Sequence, residues 1–230
     1  LGDVYKRQSL AVGQDLTSIP AANLVAGTAY KITSLSDSLF NVVGAETNFV
    51  GTTFIATGPT TGAGTVVAVN SVAVAVARGN NATARSVDGG ITWVAGGNLP
   101  NSSQWISIAY GRGTWVAVAT GGTANAYSTD GGQTWTAGGV LPASTTWTSV
   151  AYGAGKFVAV ASSGTQAAYS TDNGTTWTTA TLPSSTNWSS VAFGNNRFVA
   201  VSSTSGTAAA YSLDGIDWEA STITLSLIHI

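Results

Sequence analysis

The sequence predicts an all-β protein, with a small N-terminal β module followed by four tandem, four-stranded antiparallel units. Three observations predict this class. Similar phrases recur about every 42 residues over residues 66–224. Short β-branched and aromatic runs alternate with Gly, Asn and Asp, which is typical of strands joined by tight turns. No segment combines the 3.6-residue apolar period of a helix with capping residues.

The composition excludes several classes of protein. Of 230 residues, 44% are hydrophobic, which is enough for a core, and only 8% are charged. The net charge is −2 and the basic residues stand singly, so there is no footprint for nucleic acid or an acidic membrane. Without cysteine the chain has no disulfide, thiolate nucleophile or zinc finger. The longest apolar stretch, residues 66–77, is too short to span a bilayer.

Both ends of the sequence indicate a non-natural origin. Residues 225–230 read LSLIHI, and the reverse complement of one DNA sequence that encodes them translates as DVYKRQ, which is residues 3–8. The pair resembles a sequencing-library adaptor that was translated by accident. We therefore expect residues 1–8 and 225–230 to be adaptor scars on an internal, metagenomic fragment. The only histidine, His229, lies in the second scar.

Residues 9–65 do not follow the repeat and are predicted to form a small β module with a linker. Strands are predicted at 28–35 and 48–58, and the Gly- and Thr-rich run at 57–65 is interpreted as a linker or long loop. This region resembles a β module of bacteriophage tail and other virion proteins. The resemblance is carried by Gly27, Tyr30, Lys31, Ile32, Gly44, Ala45, Gly51, Thr53, Phe54, Ala56, Thr57 and Gly64. It implies a surface-exposed virion component whose distal part is the repeat region.

Four segments of the repeat region contain nearly the same phrase: RSVDGGITW, YSTDGGQTW, YSTDNGTTW and YSLDGIDW. The aspartates and final tryptophans of these phrases are Asp88, Asp130, Asp172 and Asp214, and Trp93, Trp135, Trp177 and Trp218. A second phrase begins at Trp105, Trp147 and Trp188, and a Leu-Pro pair recurs at 99–100, 141–142 and 182–183. Three phrases at one period place the units at 66–98, 99–140, 141–181 and 182–224.

Each unit is predicted to contain four short strands. In the third unit these are 147–152, 156–161, 165–170 and 175–179. The second strand alternates valine and alanine, so both of its faces are apolar and are predicted to be buried. A four-stranded unit that is covered on both faces and repeated every 40-odd residues is typical of a β-propeller blade. A linear β-solenoid is the alternative, although its repeats are usually shorter.

The phrase S-x-D-x-G-x-T-W resembles the Asp-box, or BNR repeat, of sialidase-like β-propellers. In that family the box is the hairpin between the third and fourth strands of a blade, and four blades predict an incomplete propeller because the family commonly has more. Asp accepts N–H groups across its own turn, Gly supplies the positive φ, and Trp anchors the turn. The fourth box is one residue shorter and has Asp217 in place of Thr. A residue that recurs at the same position of every repeat usually stabilises the fold of the repeat, whereas an active site is a single group of residues. We therefore interpret these aspartates and tryptophans as structural rather than catalytic or calcium-binding.

We expect no sialidase-like active site. The resemblance would require three arginines converging on a carboxylate, a Tyr nucleophile with a Glu partner, and an Asp acid. Arg112 and Arg197 are predicted on turns away from the usual ligand face, and only Arg78 is predicted on the ligand side. Without His or Cys outside the scar, nucleophilic triads and most metal sites are excluded. We therefore expect no catalytic residue, metal or cofactor.

The loops opposite the boxes are rich in Ser, Thr, Asn and Gly, and they form the predicted ligand face. Its candidate residues are Trp105, Trp147, Trp188, Asn125 and Gln166. Aromatic rings beside hydroxyl and amide groups can stack on sugars. The alternative is that the three tryptophans fill the seams between blades, since burial is the commoner use of an aromatic ring.

Together these features predict a non-catalytic propeller, associated with a phage tail, a virion or another surface, that recognises a protein or a glycan. Two alternatives stay open. One is a fragment of a sialidase-like glycoside hydrolase whose catalytic residues lie elsewhere, and the other is a secreted bacterial Asp-box protein for binding or assembly. The expected partners are a host-surface glycan or a virion protein, with oligomers if the protein is a tail fibre, and no nucleic acid or membrane insertion. The expected location is the virion or the extracellular space.

Overall fold

The computed structural model describes residues 8–13, 18–24, 29–34, 53–55, 59, 64–68, 72–87, 89–204 and 207–223. These residues form twenty β-strands and one short 3-10 helix, with no α-helix among them, so the predicted all-β class is confirmed. No helix in this part of the chain has the length and hydropathy needed to cross a membrane. Asp88 and the adaptor segments, apart from Gln8, lie outside the described residues.

The chain divides into two compact units. One comprises Val12–Ala73 and Ser86–Val94, and the other Leu1–Ala11, Val74–Arg85 and Ala95–Ile230. The first unit contains the sheet of the N-terminal module. Its elements are β2 (Ser18–Pro20), a 3-10 helix (Ala21–Asn23), β3 (Ala29–Ser34), β4 (Thr53–Ile55) and β5 (Thr65–Ala68). These strands pair antiparallel in the order β2-β5-β3-β4, and β3 and β4 lie within the two predicted strand regions.

The repeat region, together with β1 from the N-terminal part of the chain, forms four sheets of four strands. The first sheet contains β1 (Gln8–Gly13), β6 (Val72–Ala77), β7 (Thr83–Ser86) and β8 (Val94–Ala95), in that order. The second contains β9 (Gln104–Gly111), β10 (Thr114–Thr120), β11 (Asn125–Ser128) and β12 (Thr136–Ala137). The third contains β13 (Thr146–Gly153), β14 (Lys156–Ser162), β15 (Gly164–Ser170) and β16 (Thr178–Thr186). The fourth contains β17 (Trp188–Gly194), β18 (Arg197–Ser202), β19 (Ala208–Ser212) and β20 (Glu219–Thr222).

The strands of the second, third and fourth sheets follow chain order and pair antiparallel. This is the blade architecture that the repeat predicts, and the number of blades fits an incomplete propeller. In the third blade the first three predicted strands match the observed ones to within one residue, whereas the fourth, predicted at 175–179, is β16 at Thr178–Thr186. The Asp-box turn extends further along the chain than its Gly alone indicates.

The first blade begins differently from the prediction. The sequence analysis started this blade at residue 66, whereas β5 lies in the module's sheet and β1 lies beside β6 at the edge of the first blade. The module is therefore inserted between the first and second strands of that blade. Strand β1 reads SLAVG over residues 9–13, which corresponds to SIAYG at 107–111, but it lacks the opening Trp.

Consecutive blades of the second compact unit pack through their first strands, so that β9 contacts β13 and β13 contacts β17. The second strand of each blade also contacts the first strand of the next one, in the pairs β10–β13 and β14–β17. The core lies in these seams and is closed by buried aromatic and aliphatic side chains. Between the second and third blades it includes Val116, Leu141, Trp147 and Phe157. Burial of each such side chain contributes about 1.5–3 kcal/mol, so the seams contribute substantially to the stability of the unit.

The valine–alanine strands are buried on both faces where another blade follows. Val158, Ala159, Val160 and Ala161 of β14 are all fully buried. Valine side chains contact the neighbouring blade, and the short alanine side chains suit the close approach on the other face.

Candidate functional site

Each blade has two ends, because successive antiparallel connections alternate between the ends of a sheet. We call the end that carries the Asp-box turns and the turns between first and second strands the box end. We call the opposite end the loop end. Among the described residues of the second to fourth blades, the box end comprises residues 111–114, 129–135, 153–156, 171–177, 194–197 and 213–218. The loop end comprises 101–104, 120–124, 143–146, 162–164, 184–187, 202–204 and 207, together with residues 78–82 of the first blade.

The Asp130 carboxylate closes the box turn of the second blade. Its Oδ1 accepts hydrogen bonds from the Ser128 hydroxyl (2.8 Å) and from the backbone N–H groups of Gln133 (3.0 Å) and Thr134 (2.9 Å). Its Oδ2 accepts the Thr134 hydroxyl at 2.6 Å. The Ser128 hydroxyl in turn accepts the N–H of Gly132 at 2.9 Å. Both carboxylate oxygens are therefore bonded within their own turn, which is why the motif needs Ser, Asp, Gly and Thr at these spacings.

These bonds stabilise the charged form of the box aspartates. Burial is the largest single influence on the pKa of Asp130 and raises it, but the bonds from Thr134, Ser128 and Gln133 together hold the pKa below its usual value of 3.8. The same balance of burial against bonds from Thr176 and Ser170 lowers the pKa of Asp172. The box turns thus favour an ionised carboxylate, which accepts the hydrogen bonds that hold the turn together.

The third box repeats the geometry of the second, whereas the fourth departs from it. Asp172 Oδ1 accepts the Ser170 hydroxyl and the Thr176 N–H at 2.8 Å each, and its Oδ2 accepts the Thr176 hydroxyl at 2.7 Å. In the fourth box, Asp214 Oδ1 accepts the N–H groups of Ile216 (2.9 Å) and Asp217 (3.1 Å). The bond from the Ile216 N–H is the main reason that the pKa of Asp214 is lowered. With Asp217 in place of Thr, this turn has no hydroxyl to bond the second carboxylate oxygen.

The box tryptophans lie against the blades to different degrees. Trp177 packs on the core between the second and third blades, and Trp218 on the core between the third and fourth. The indole nitrogens of Trp135, Trp177 and Trp218 are buried and have no hydrogen-bond partner among the described residues. Trp93 is 40% exposed, and its indole N–H donates to the Gly90 carbonyl at 3.0 Å.

The three tryptophans of the predicted ligand face are buried, and Trp147 and Trp188 lie in the cores between consecutive blades. Trp105, Trp147 and Trp188 each have an exposed fraction of 0%. Each indole N–H donates to a backbone carbonyl four residues earlier, at 3.0–3.1 Å. A ring without exposed surface cannot stack on a sugar, so this part of the predicted ligand face is not available to a ligand in this conformation.

Of the two polar candidates of the ligand face, Asn125 is buried and Gln166 is half-buried. Asn125 is the first residue of β11, is 4% exposed, and its amide nitrogen donates to the Gly139 carbonyl. Its Oδ1 is buried without a partner among the described residues and faces Gly138 and Gly174. Gln166 is half-buried in β15, and its Oε1 folds back toward Gly164. Asn125 is thus a contact between blades rather than an exposed ligand group.

The loop end carries hydrogen bonds between consecutive blades. The Arg78 Nε–H donates to Gln104 Oε1 at 3.1 Å, and the Gly121 N–H donates to the Thr145 carbonyl at 3.2 Å. The Ser163 N–H donates to Asn187 Oδ1 at 3.1 Å. Each loop between second and third strands is thereby fixed to the segment that opens the next blade. Within the described part of the loop end, Arg78 is the one charged side chain.

Two kinds of glycine contact were missed in the sequence analysis. A Cβ on Gly111 would overlap the Tyr152 ring, and a Cβ on Gly153 would overlap the Phe193 ring, so each glycine admits the aromatic side chain of the following blade. The Gly139 N–H donates to the Gly174 carbonyl at 3.1 Å, and a Cβ at Gly139 would overlap the next box turn. The signal that could reveal the first contact is the Tyr/Phe-Gly pair that ends each of these first strands.

No group of three or more His, Cys, Asp or Glu side chains that could hold a metal ion occurs among the described residues. The arginines also lie apart in the fold. Arg112 and Arg197 lie in turns of the box end, Arg85 donates to the Gly131 carbonyl at 3.0 Å, and Arg78 lies at the loop end.

The comparisons with known proteins agree with this architecture. The BNR/Asp-box repeat model matches residues 126–137 and 168–179, which contain the second and third boxes. The search of curated proteins found no match. The chain therefore carries the Asp-box repeats and the four-stranded blades of a repeat β-propeller.

The solved structures to which this chain is similar include the following three. One is described as YCF48 bound to D1 peptide, with 21% identity, a TM-score of 0.49, and coverage of 64% of this chain and 50% of that one. Another is YCF48 from Cyanidioschyzon merolae, with 15% identity, a TM-score of 0.47, and coverage of 65% and 53%. The third is a streptogramin B lyase, with 14% identity, a TM-score of 0.56, and coverage of 94% and 59%. The last likeness supports the propeller fold alone, and the chain spans 50–59% of the lengths of these proteins.

Proposed function

We propose that this chain is a non-catalytic recognition module that binds a neutral, hydroxyl-rich glycan at its loop end. The observation that carries the proposal is the chemistry of that end. Its described residues are almost all Ser, Thr, Asn, Gln, Gly and Ala, and Arg78 is the one charged group among them. Hydroxyl and amide groups donate and accept hydrogen bonds in the way that sugar hydroxyls require.

The fixed geometry of these loops favours binding. Ser203 donates its N–H to the Asn187 carbonyl at 3.0 Å, while Ser163 donates to the side chain of the same asparagine. One residue thus holds the loops of the third and fourth blades, and the backbone bond from Gly121 to Thr145 fixes the loop of the second blade. A surface that is ordered before binding loses less conformational entropy when the ligand arrives.

A glycan suits this surface better than a protein does. Protein-binding surfaces derive most of their affinity from exposed Trp, Tyr and Arg at their centre. At the loop end the nearby tryptophans are fully buried, and Arg78 is the sole arginine of its described residues. Recognition there would depend on many modest hydrogen bonds, which is the usual way to bind a polyhydroxylated ligand.

The non-catalytic assignment is supported by the use of the box carboxylates. Both oxygens of Asp130 and both of Asp172 are bonded within their own turns. A carboxylate held in this way is not free to protonate a glycosidic oxygen or to attack a sugar, and glycoside hydrolysis needs two carboxyl groups across a cleft.

The module at the N-terminus supports association with a virion. Four of the residues that carry the resemblance to phage tail proteins lie on paired strands, with Tyr30 opposite Phe54 and Lys31 opposite Thr53. In this proposal the module attaches the chain to the particle and the blades present the loop end to a host-surface glycan.

A glycan array with the purified chain tests the proposal. We expect binding to at least one neutral glycan, and we expect Arg78→Gln, which removes the exposed arginine of the loop end, to weaken it about tenfold, equivalent to about 1.4 kcal/mol. Arg112→Gln is the matched control, because it removes the same charge from an exposed residue of the box end.

Three outcomes contradict the proposal. Release of sugar from any bound glycan would show an enzyme. Absence of binding across the array would remove the glycan as ligand. An equal loss of binding in Arg112→Gln would place the ligand away from the loop end.

A further inference from the structure

The third box differs from the second at the residue that follows its aspartate. The second box has Gly131 there, with a φ of 71°, and the third has Asn173, with a φ of 62°. Both values lie in the left-handed region, which asparagine tolerates better than most residues that carry a side chain. Asn173 therefore fits the turn, but with Gly174 it also forms the one Asn-Gly pair in the sequence.

An Asn-Gly pair can modify itself without an enzyme. The backbone nitrogen of the glycine loses its proton and attacks the side-chain carbonyl carbon of the asparagine, so that a new C–N bond forms and ammonia leaves. Water then opens the cyclic succinimide at either of its two carbonyl groups, which yields an aspartyl or an isoaspartyl residue. The net reaction converts one amide and one water into one carboxylic acid and one ammonia, with no oxidant or reductant. Glycine favours the attack because it has no Cβ beside the nitrogen.

The electrophile of this reaction is available in the third box. The side-chain amide of Asn173 is half-buried and makes no hydrogen bond to any residue that the structure describes, so its carbonyl carbon is open to attack. The Asp-Gly pair of the second box is different. Both oxygens of Asp130 accept hydrogen bonds within their own turn, which favours the ionised carboxylate, and an ionised carboxylate is a poor electrophile.

The nucleophile, in contrast, is held by the turn. The Gly174 N–H donates to the Ser170 hydroxyl at 2.8 Å, and both residues are buried. The Ser170 hydroxyl is itself fixed, because it donates to Asp172 Oδ1 at 2.8 Å. A nitrogen whose hydrogen is bonded to a buried acceptor does not readily lose its proton to solvent, and its N–H is directed at Ser170. The reaction therefore requires the turn to open first.

The modified residue would lie beside a contact between blades. The Gly174 carbonyl accepts the Gly139 N–H of the second blade at 3.1 Å. An isoaspartyl residue adds one carbon atom to the backbone between Asp172 and Gly174, which alters the spacing on which the hydrogen bonds from Gly174 to Ser170 and from Thr176 to Asp172 depend. An aspartyl residue places a second negative charge beside Asp172. Either product therefore weakens the third box.

From these observations we infer that Asn173 is a site of spontaneous deamidation, and that the Ser170 hydroxyl controls the rate by holding the Gly174 N–H. The closed box turn suppresses the reaction, and each opening of the turn releases the nitrogen. The extent of modification at residue 173 therefore records how often the third box opens. Protein that is deamidated there should have a lower Tm than fresh protein, because the turn and its hydrogen bond to the second blade are weakened.

Peptide mapping by mass spectrometry during incubation at mildly alkaline pH tests the inference. The aspartyl and isoaspartyl forms of residue 173 are quantified in the full chain and in a free peptide of residues 168–178, which has no blade around it. We expect the full chain to react at least about tenfold more slowly than the peptide, which corresponds to an opening free energy of about 1.4 kcal/mol or more. Ser170→Ala removes the acceptor and should accelerate the reaction of the chain about tenfold. Ser128→Ala is the matched control, because it removes the equivalent hydroxyl from the second box and should leave the rate at residue 173 unchanged.

Hydrogen exchange at the Gly174 amide covers the case in which Ser170→Ala does not fold. One opening exposes this nitrogen both to exchange and to the reaction, so in the unchanged protein the two processes should be slowed by the same factor, to within about tenfold, relative to the peptide. Asn173→Gly, which restores the residue of the second box, should abolish both the modification and the fall in Tm during incubation.

Three results would overturn the inference. The first is deamidation of the folded chain at the rate of the peptide. The second is deamidation that is slowed far less than exchange of the Gly174 amide, since the reaction would then proceed without opening of the turn. The third is a folded Ser170→Ala chain that deamidates no faster than the unchanged protein.

Discussion

Replacement of Asp130 by alanine removes the side chain that closes the box turn of the second blade. Four hydrogen bonds disappear, from the Ser128 hydroxyl, the N–H groups of Gln133 and Thr134, and the Thr134 hydroxyl. A hydrogen bond to a charged group contributes about 1.5–3 kcal/mol when it is buried. Here most of the bonds lie near the surface, where water can hydrogen-bond the donors after the carboxylate is removed. The loss of stability is therefore similar to that caused by removing a helix N-cap.

We therefore expect Asp130→Ala to lower the free energy of unfolding by about 2 kcal/mol. For a chain of this size that corresponds to a fall of roughly 4–8 °C in Tm. The assay is urea denaturation followed by tryptophan fluorescence, with thermal unfolding as a second probe. A cycle with Thr134→Val isolates the bond between the two side chains, which should give a coupling of about 1 kcal/mol.

The matched control for this substitution is Asp217→Ala. Asp217 is an exposed carboxylate of the fourth box turn, and only its backbone N–H takes part in that turn. We expect a change within about 0.5 kcal/mol for this control. If Asp130→Ala were as mild as Asp217→Ala, or if it abolished ligand binding without a change in stability, the box aspartates would not be structural and the reasoning would fail.

Three further predictions concern the seams and the boxes. Gly153→Ala would push a methyl group into the Phe193 ring and should cost about 1–3 kcal/mol, whereas Gly194→Ala meets no atom of the described residues within 4 Å and should be close to neutral. Urea denaturation of the two variants checks this, and equal effects would contradict it. Trp147→Ala would leave a cavity at a fully buried position and should lower the free energy of unfolding by about 3–5 kcal/mol in the same assay. A loss below about 1 kcal/mol would contradict the packing of Trp147 between the blades. The pKa values of the described box aspartates are lowered by folding, so their stabilising contribution is complete above the unfolded-state pKa of about 4 and is lost as the pH falls through the lower folded-state values. Between pH 7 and pH 3 the free energy of unfolding should fall less for Asp130→Ala than for the unchanged protein. An equal fall in both would argue against ionised carboxylates in the box turns.

The blades could be predicted from the sequence because their signals are local and repeated. The residues that define the box motif also make the contacts of the turn. Asp130 and Thr134 are four residues apart and hydrogen-bond directly, so the motif alone predicts the turn. Likewise, Val and Ala alternate in β14 because both faces of that strand are covered, and strict alternation is visible without any partner.

The strand that begins the first blade could not be predicted in this way. Strand β1 lies 58 residues before β6 in the sequence, and the module between them interrupts the 42-residue period. Only the short SLAVG segment links it to the other first strands, and five residues without the opening Trp are a weak signal on their own.

The site residues show a different limit of sequence reasoning. A loop rich in Asn, Gly and Thr predicts exposure for Asn125, but the first residue of β11 points into a space left by Gly138 and is buried there. For Trp147 the sequence left a ligand face and a seam between blades as alternatives, and the structure places the ring in the core between the second and third blades. Packing between elements that are 40 residues apart determines both outcomes, and no local pattern records it.

Hydrogen exchange at the amides of Val150 and Val191 tests the central claim most directly. Each N–H points away from its own sheet and donates to a serine of the preceding blade, 43 and 42 residues earlier in the chain. Packed tandem blades predict slow exchange at both amides, with selective loss of protection at Val150 in a Ser107→Gly variant. Exchange of both amides at the rate of an unstructured peptide, within a chain whose other strands are protected, would contradict the packing of one blade on the next.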